Sequence, residues 1–140
     1  RRRPLLGREA DMRIRAGIEN RSRAADVANV KAKSVLELAN GPTPPEAATV
    51  RDKNCILHIP DFLANAGGVT VSYFEWVQNL YGYYWTADEV YAKLDAKMTT
   101  AFHAVYDMHK TKKVYMRTAA YLVVFGRVAE AVKLRGLAVK

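Results

Sequence analysis

Cysteine is nearly missing from this chain: Cys55 stands alone among 140 residues. That excludes an internal disulfide framework and any multi-cysteine zinc site, and it suits a reducing, cytoplasmic setting. Long hydrophobic runs are missing too. The longest, around Ala119–Phe125, lies between Arg117 and Arg127 and is far shorter than the ~18 residues of a membrane span. No membrane partner is expected. The start carries no secretory signal, because Arg1-Arg2-Arg3 is followed by only Pro4-Leu5-Leu6 before Gly7 and Arg8. HExxH, GxSxG, GxxxxGKS/T and a complete GxGxxG are all absent, which removes the simplest zinc-protease, nucleophile-elbow and P-loop readings. There is no internal repeat and no low-complexity tract.

What is present is ordinary globular composition, 50% hydrophobic and 26% charged, over about one domain's length. The formal net charge of +8 is unevenly placed. Residues 1–23 hold eight arginines against Glu9, Asp11 and Glu19, so most of the basicity is an N-terminal feature. A basic arm can bind nucleic acid by counterion release. A solvated chain end has the same composition.

Residues 1–13 follow neither a helical nor a strand period. Ser22 opens a short helical stretch to about Val30. Ser34–Leu38 is apolar and β-branched, and it stops at Asn40-Gly41-Pro42-Thr43-Pro44-Pro45, as a strand running into a Gly/Pro loop does. Pro44-Pro45-Glu46 suits a helix start, with that helix running to about Lys53. Cys55–Ile59 reads as a second buried strand ended by Pro60-Asp61. Strand, loop, helix, strand is the pattern of a parallel sheet. Two such strands cannot make a stable sheet alone, so the sheet looks incomplete.

The second half is helical. A helix opens at Gly67-Gly68-Val69 and runs to about Asn79. Thr86-Ala87-Asp88-Glu89 is a capping box. Behind it Val90, Leu94, Met98, Ala101, Val105 and Met108 recur at spacings of three and four and mark one apolar face. That helix ends in charge over Asp107–Lys113. A last helix over Met116–Leu134 is apolar nearly all round between Ala119 and Phe125, which predicts a buried middle, and Gly136 stands where a C-terminal cap belongs.

In open α/β sheets ligands bind beyond the carboxyl ends of the strands. Two such ends carry an asparagine near glycine: Asn40 with Gly41, and Asn65 before Gly67-Gly68. An asparagine amide both donates and accepts, so it can read a carboxamide or the polar groups of an amino acid. Loop asparagines that merely satisfy turn backbone have the same pattern. Gly67-Gly68 at a helix start leaves N–H groups at the positive end of the dipole. Val69 and Ser72, three apart, share a face above that end and can line a pocket for an aliphatic substrate with a polar tip. A serine inside a helix also bonds back to its own carbonyls. His58 reads as a packed strand histidine, and His103 and His109, six apart, fall on different helix faces. Tyr81-Gly82-Tyr83-Tyr84-Trp85 can stack bases or pack a loop on the next helix.

The string Ala39-Asn40-Gly41-Pro42-Thr43, followed by Pro60-Asp61-Phe62-Leu63-Ala64-Asn65-Ala66-Gly67-Gly68-Val69-Thr70-Val71-Ser72-Tyr73-Phe74-Glu75-Trp76-Val77-Gln78-Asn79, closely resembles glutamate dehydrogenase. That family comprises amino-acid dehydrogenases acting on glutamate, leucine, phenylalanine and valine. The likeness continues through Tyr84-Trp85-Thr86, Lys97-Met98-Thr99, Met116-Arg117-Thr118-Ala119-Ala120-Tyr121 and Lys133-Leu134-Arg135-Gly136, and covers roughly Ala16 to Lys140.

The resemblance implies an α/β fold: the last parallel strands of a partial Rossmann-like nucleotide-binding domain, then C-terminal helices. It divides the chain into an atypical basic segment (1–15), the end of the NAD(P)-binding domain (16–80) and a helical segment that packs back across the cleft (81–140). It implies NAD or NADP as cofactor, L-glutamate and 2-oxoglutarate as substrate and product, and a homo-hexamer in the full-length family. Ser72 matches the serine that contacts the distal carboxylate of glutamate, and Val69 its neighbour in the pocket. Asn40 and Asn65 match strand-end positions next to the nicotinamide or the substrate. A hydroxyl at position 72 favours glutamate over branched-chain or aromatic substrates, because an unpaired buried charge is costly.

The family's catalytic lysines, their assisting acid and the Gly-rich phosphate turn have no counterpart in the matched stretch. The chain by itself is therefore expected to be catalytically inactive, with no catalytic residue of its own. It departs from the family pattern at Met12–Asn20, where Arg13 and Arg15 stand on an apolar strand and unpaired charges would be costly. Residues 1–12 match no part of the pattern. The expectation is that the first dozen or so residues come from truncated, frameshifted or misread sequence. Pro44 stands where threonine is common. The rival readings are a non-catalytic binding or assembly fragment and, through the Arg-rich start, a nucleic-acid binder.

Overall fold

The computed structural model describes residues 8–17, 30–41 and 56–136. Three parallel strands, β1 (Ala10–Arg15), β2 (Ala32–Glu37) and β3 (Leu57–Ile59), form one sheet in the order β1-β2-β3. Arg15 pairs with Glu37 at one end, and Leu36 pairs with Ile59. Parallel neighbours require long crossovers. The expected helices over Ser22–Val30 and Pro44–Lys53 fall in those crossovers and, like Cys55, lie outside the described residues, Val30 excepted.

The two expected strands are present, with slightly different bounds. Central β2 buries Ala32, Val35 and Glu37, and Val35 is almost wholly enclosed. Periodicity gives no strand at β1, whereas the resemblance places one at Arg13 and Arg15, and a strand is there. Its outward Met12 and Ile14 are exposed, whereas Arg13 and Arg15 are half-buried and neither lacks a partner. Burial lowers the Arg13 guanidinium from its ordinary value. The arginines are thus not the unpaired charges whose cost was expected, and β1 joins part of the 1–15 segment to the sheet.

Four helices follow: α1 (Asp61–Ala64), α2 (Ala66–Tyr81), α3 (Ala87–Lys112) and α4 (Met116–Leu134). The single turn α1 was not anticipated. α2 ends at Gly82, whose φ of 63° is the left-handed conformation that glycine adopts without strain. The expected capping box opens α3: Thr86 Oγ1 accepts from the Glu89 N–H at 3.3 Å, and the Glu89 carboxylate accepts from the Thr86 N–H at 2.7 Å. Gly136, at φ 66°, follows the end of α4 as expected of a helix stop.

The core lies where β3, α1, α3 and the start of α4 meet. Ile59, Leu63, Val105, Met116, Ala119 and Ala120 form it, with Leu36, Phe62 and Ala101 packed around them. The expected buried middle of α4 is overturned. Met116, Ala119 and Ala120 are buried, but Tyr121, Leu122, Val124, Phe125 and Val128 are exposed. One side of this helix is seated on β3 and α3, and nothing among the described residues covers the other. The aromatic loop is packed at one point: Trp85 meets Phe74 edge-on at 5.6 Å and carries Lys93 over its ring, while Tyr81, Tyr83 and Tyr84 stay exposed. Among the described residues no helix is long and apolar enough to cross a membrane.

Candidate functional site

β2 and β3 deliver their carboxyl ends to the same place. After β2 the chain turns at Asn40-Gly41, with Gly41 at φ 54°. After β3, Pro60 leads into α1, and Asn65 closes α1 while opening α2. Asn65 Nδ2 donates to Asn40 Oδ1 at 2.7 Å and more weakly to the Leu38 carbonyl at 3.4 Å. The side chain of Asn65 is therefore turned toward β2, which is why it makes no capping bond to α2. The Asn65 amide nitrogen thus has two acceptors within reach. Among the described residues, Asn65 Oδ1 and Asn40 Nδ2 have no hydrogen-bond partner, so the pair presents one acceptor and one donor.

Position 61 organises this turn. One Asp61 oxygen accepts the Gly41 N–H at 2.8 Å, and the other accepts Arg117 Nη2 at 2.7 Å. The same Nη2 reaches Glu37 at 2.9 Å, and His58 Nε2 lies 3.0 Å from that same Glu37 oxygen. Glu37 is completely buried and His58 nearly so. Burial by itself would lower the Arg117 guanidinium, but its pairing with Asp61 and Glu37 outweighs that and holds it above its ordinary value. Arg117 also lies over the Phe62 ring at 5.3 Å. Sequence reasoning missed this cluster, apart from naming His58 as a packed histidine. The signal was faint: an acid closing an apolar strand, and an arginine at the start of an otherwise apolar helix.

The other two candidates lie on α2. Val69 and Ser72 are both exposed, and Ser72 Oγ donates to the Gly68 carbonyl at 3.2 Å. The structure joins Asn40 to Asn65 by a direct bond but makes no such link to Val69 or Ser72. The paired glycines do not leave all their N–H groups open, since Gly68 donates to the Asn65 carbonyl at 3.3 Å. The cause is α1, which runs into α2 with Asn65 as the shared junction. Among the described residues no group of three or more His, Cys, Asp or Glu side chains could hold a metal ion.

The profile of the Glutamate/Leucine/Phenylalanine/Valine dehydrogenase family matches residues 2–136. This chain belongs to that family. It is 46% identical over 134 residues to the NAD-specific glutamate dehydrogenase of Staphylococcus aureus, a match covering 96% of this chain and 32% of the relative. The glutamate dehydrogenase structure from Peptoniphilus asaccharolyticus superposes with a TM-score of 0.83 at 43% identity, covering 88% of this chain and 31% of that one. The hetero-hexameric glutamate dehydrogenase from Thermus thermophilus, in its leucine-bound form, gives 0.88 at 30% identity over 96% and 32%.

The family match thus begins well inside the segment that was expected to match nothing. The expected fold class holds: a partial Rossmann-like parallel sheet followed by helices. The chain spans about a third of the length of these relatives.

Proposed function

We propose that this chain forms one wall of the active cleft of an NAD(P)-dependent glutamate dehydrogenase. The reaction is oxidative deamination of L-glutamate to 2-oxoglutarate and ammonia, with a hydride passing to NAD or NADP. The observation that carries the reading is the amide pair, Asn40 with Asn65, at the carboxyl ends of two parallel strands. Its outward donor and acceptor fit a primary carboxamide such as that of nicotinamide, which needs one of each. When bound, that cofactor supplies the hydride acceptor, and the chain's own residues hold and orient it. Ser72 gives a hydroxyl to the distal carboxylate of glutamate, and Val69 packs beside the substrate's methylenes. The full-length protein works as a homo-hexamer, and the 140 residues alone have no turnover.

A chimera tests this. The matched third of the Staphylococcus aureus NAD-specific enzyme is replaced by residues 2–136 of this chain, and glutamate-dependent NADH formation is measured. Activity with glutamate well above that with norvaline supports the reading. A folded chimera that turns over norvaline equally well overturns it, as does clear turnover by the 140 residues on their own.

A second reading, a non-catalytic assembly module, draws on the exposed Leu122, Phe125 and Val128 of α4. Size exclusion with light scattering distinguishes it: self-association supports it and a stable monomer counts against it.

A further inference from the structure

We propose that Arg117 is a positioning residue for the Asn40–Asn65 amide pair, acting from α4 through the Asp61 carboxylate. The proposal rests on the reading above only in treating that pair as ligand-facing. The connection runs through consecutive short contacts. Arg117 Nη2 holds one oxygen of Asp61, the other oxygen of Asp61 holds the Gly41 N–H, and Gly41 follows Asn40, whose side chain accepts from Asn65. A carboxylate with each oxygen committed to a different partner cannot rotate freely, so the guanidinium fixes where the Gly41 amide is held.

Among the described residues, packing offers Gly41 little alternative support. A Cβ built at Gly41 would meet nothing within 4 Å, and the residue sits at a left-handed φ of 54°. Among the described residues, it is the N–H bond to Asp61 that holds it. Arg117 is itself held from three sides: Glu37 at the end of β2, Asp61 at the start of α1, and the face of Phe62. Phe62 in turn packs on Tyr121, one turn further along α4, at 5.0 Å between ring centroids. The seat of α4 on the sheet is thus linked to the strand-end turn through Arg117 and Asp61. Helix α4 contributes no residue to the amide pair, yet it controls the orientation of that pair.

The test is amide hydrogen exchange and side-chain amide NMR on the 15N-labelled full chain. In Arg117→Met, exchange at Gly41 should rise about tenfold or more relative to Val105 and Ala119, the expected scale for losing a charge-assisted bond. The Asn40 and Asn65 side-chain resonances should shift together. Arg117→Lys, which keeps the cation, should recover part of the Gly41 protection. Where Arg117→Met does not fold, the double variant Glu37→Gln/Arg117→Met removes the buried charge together with its partner, and the same readings decide. Unchanged Gly41 exchange and unchanged asparagine resonances in a folded variant overturn the proposal. So does an equal rise at Gly41, Val105 and Ala119, which would mean a general loss of stability. None of these readings needs turnover, so a failed chimera assay and a failed positioning role are told apart.

Discussion

Glu37 and Arg117 are 80 residues apart in sequence, yet their side chains meet at 2.9 Å. The acid is wholly buried, so its charge cannot rely on water. Arg117 neutralises it and joins the end of β2 to the start of α4. His58, 3.0 Å from the same oxygen, adds a second nitrogen from β3.

Replacing Arg117 by methionine should therefore be severe. Removing one partner of a buried ion pair costs about 3–5 kcal/mol where the other charge is left alone, and because Glu37 keeps His58 the loss should fall toward the lower end of that range. The midpoint of urea denaturation should fall accordingly. Glu37→Gln/Arg117→Met should be milder than Arg117→Met alone, because the buried charge goes with its guanidinium partner. A single variant as stable as the unmodified chain would show that Glu37 is neutralised by other groups.

This cluster also shows what the sequence could convey. Short-range signals were readable. The β-branched run Ser34–Leu38 became β2, Thr86 and Glu89 became a capping box, and Gly136 followed the last helix. Asn40 and Asn65 were named as strand-end candidates, and they are in contact. What failed was whatever depended on distant partners. Arg13 and Arg15 obscured β1 to periodicity, and on the strand that the resemblance placed there they read as unpaired charges, although neither lacks a partner. The apolar run Ala119–Phe125 predicted burial on all sides, but periodicity cannot say how many neighbours a helix has. Glu37, Asp61 and Arg117 come together only through the fold, so no spacing rule could have linked them.

The Asn65 side chain should matter more to cofactor binding than to stability. Its bond to Asn40 is solvent-exposed, so Asn65→Ala should cost only about 0.5–1.5 kcal/mol. In the chimera the same change should weaken NADH binding roughly tenfold, the scale of one or two lost hydrogen bonds. Thermal denaturation and fluorescence titration measure the two effects separately. An unchanged dissociation constant would remove Asn65 from the cofactor site.

The start of α3 should be sensitive to acid. The Glu89 carboxyl is held below the usual glutamate range, first by the Thr86 backbone N–H and then by the Thr86 hydroxyl. A depressed folded value means the cap stabilises above the ordinary glutamate range. That contribution is lost as pH falls through the lowered folded value. The amide of Glu89, bonded to Thr86 Oγ1, should lose exchange protection, corrected for intrinsic rate, over that window. Glu89→Gln should flatten the dependence, while Val105 in the core stays protected. A pH-dependent loss that persists in Glu89→Gln would place the titrating group elsewhere.

Substrate choice should turn on Ser72. Among the described residues its hydroxyl makes no hydrogen bond beyond its own helix, where it donates to the Gly68 carbonyl, so Ser72→Ala should leave stability nearly unchanged. That same exposure leaves the hydroxyl able to turn toward a ligand carboxylate. A hydrogen bond to a charged group contributes about 1.5–3 kcal/mol, so its loss should reduce the preference for glutamate over norvaline by roughly 10- to 100-fold in the chimera. The change should come from poorer use of glutamate, because norvaline has no distal carboxylate for the hydroxyl to meet. Steady-state kcat/KM for both substrates gives the ratio directly. A ratio that does not move would assign discrimination to side chains in the other two thirds of the enzyme and leave Ser72 as a helix residue bonded to its own backbone.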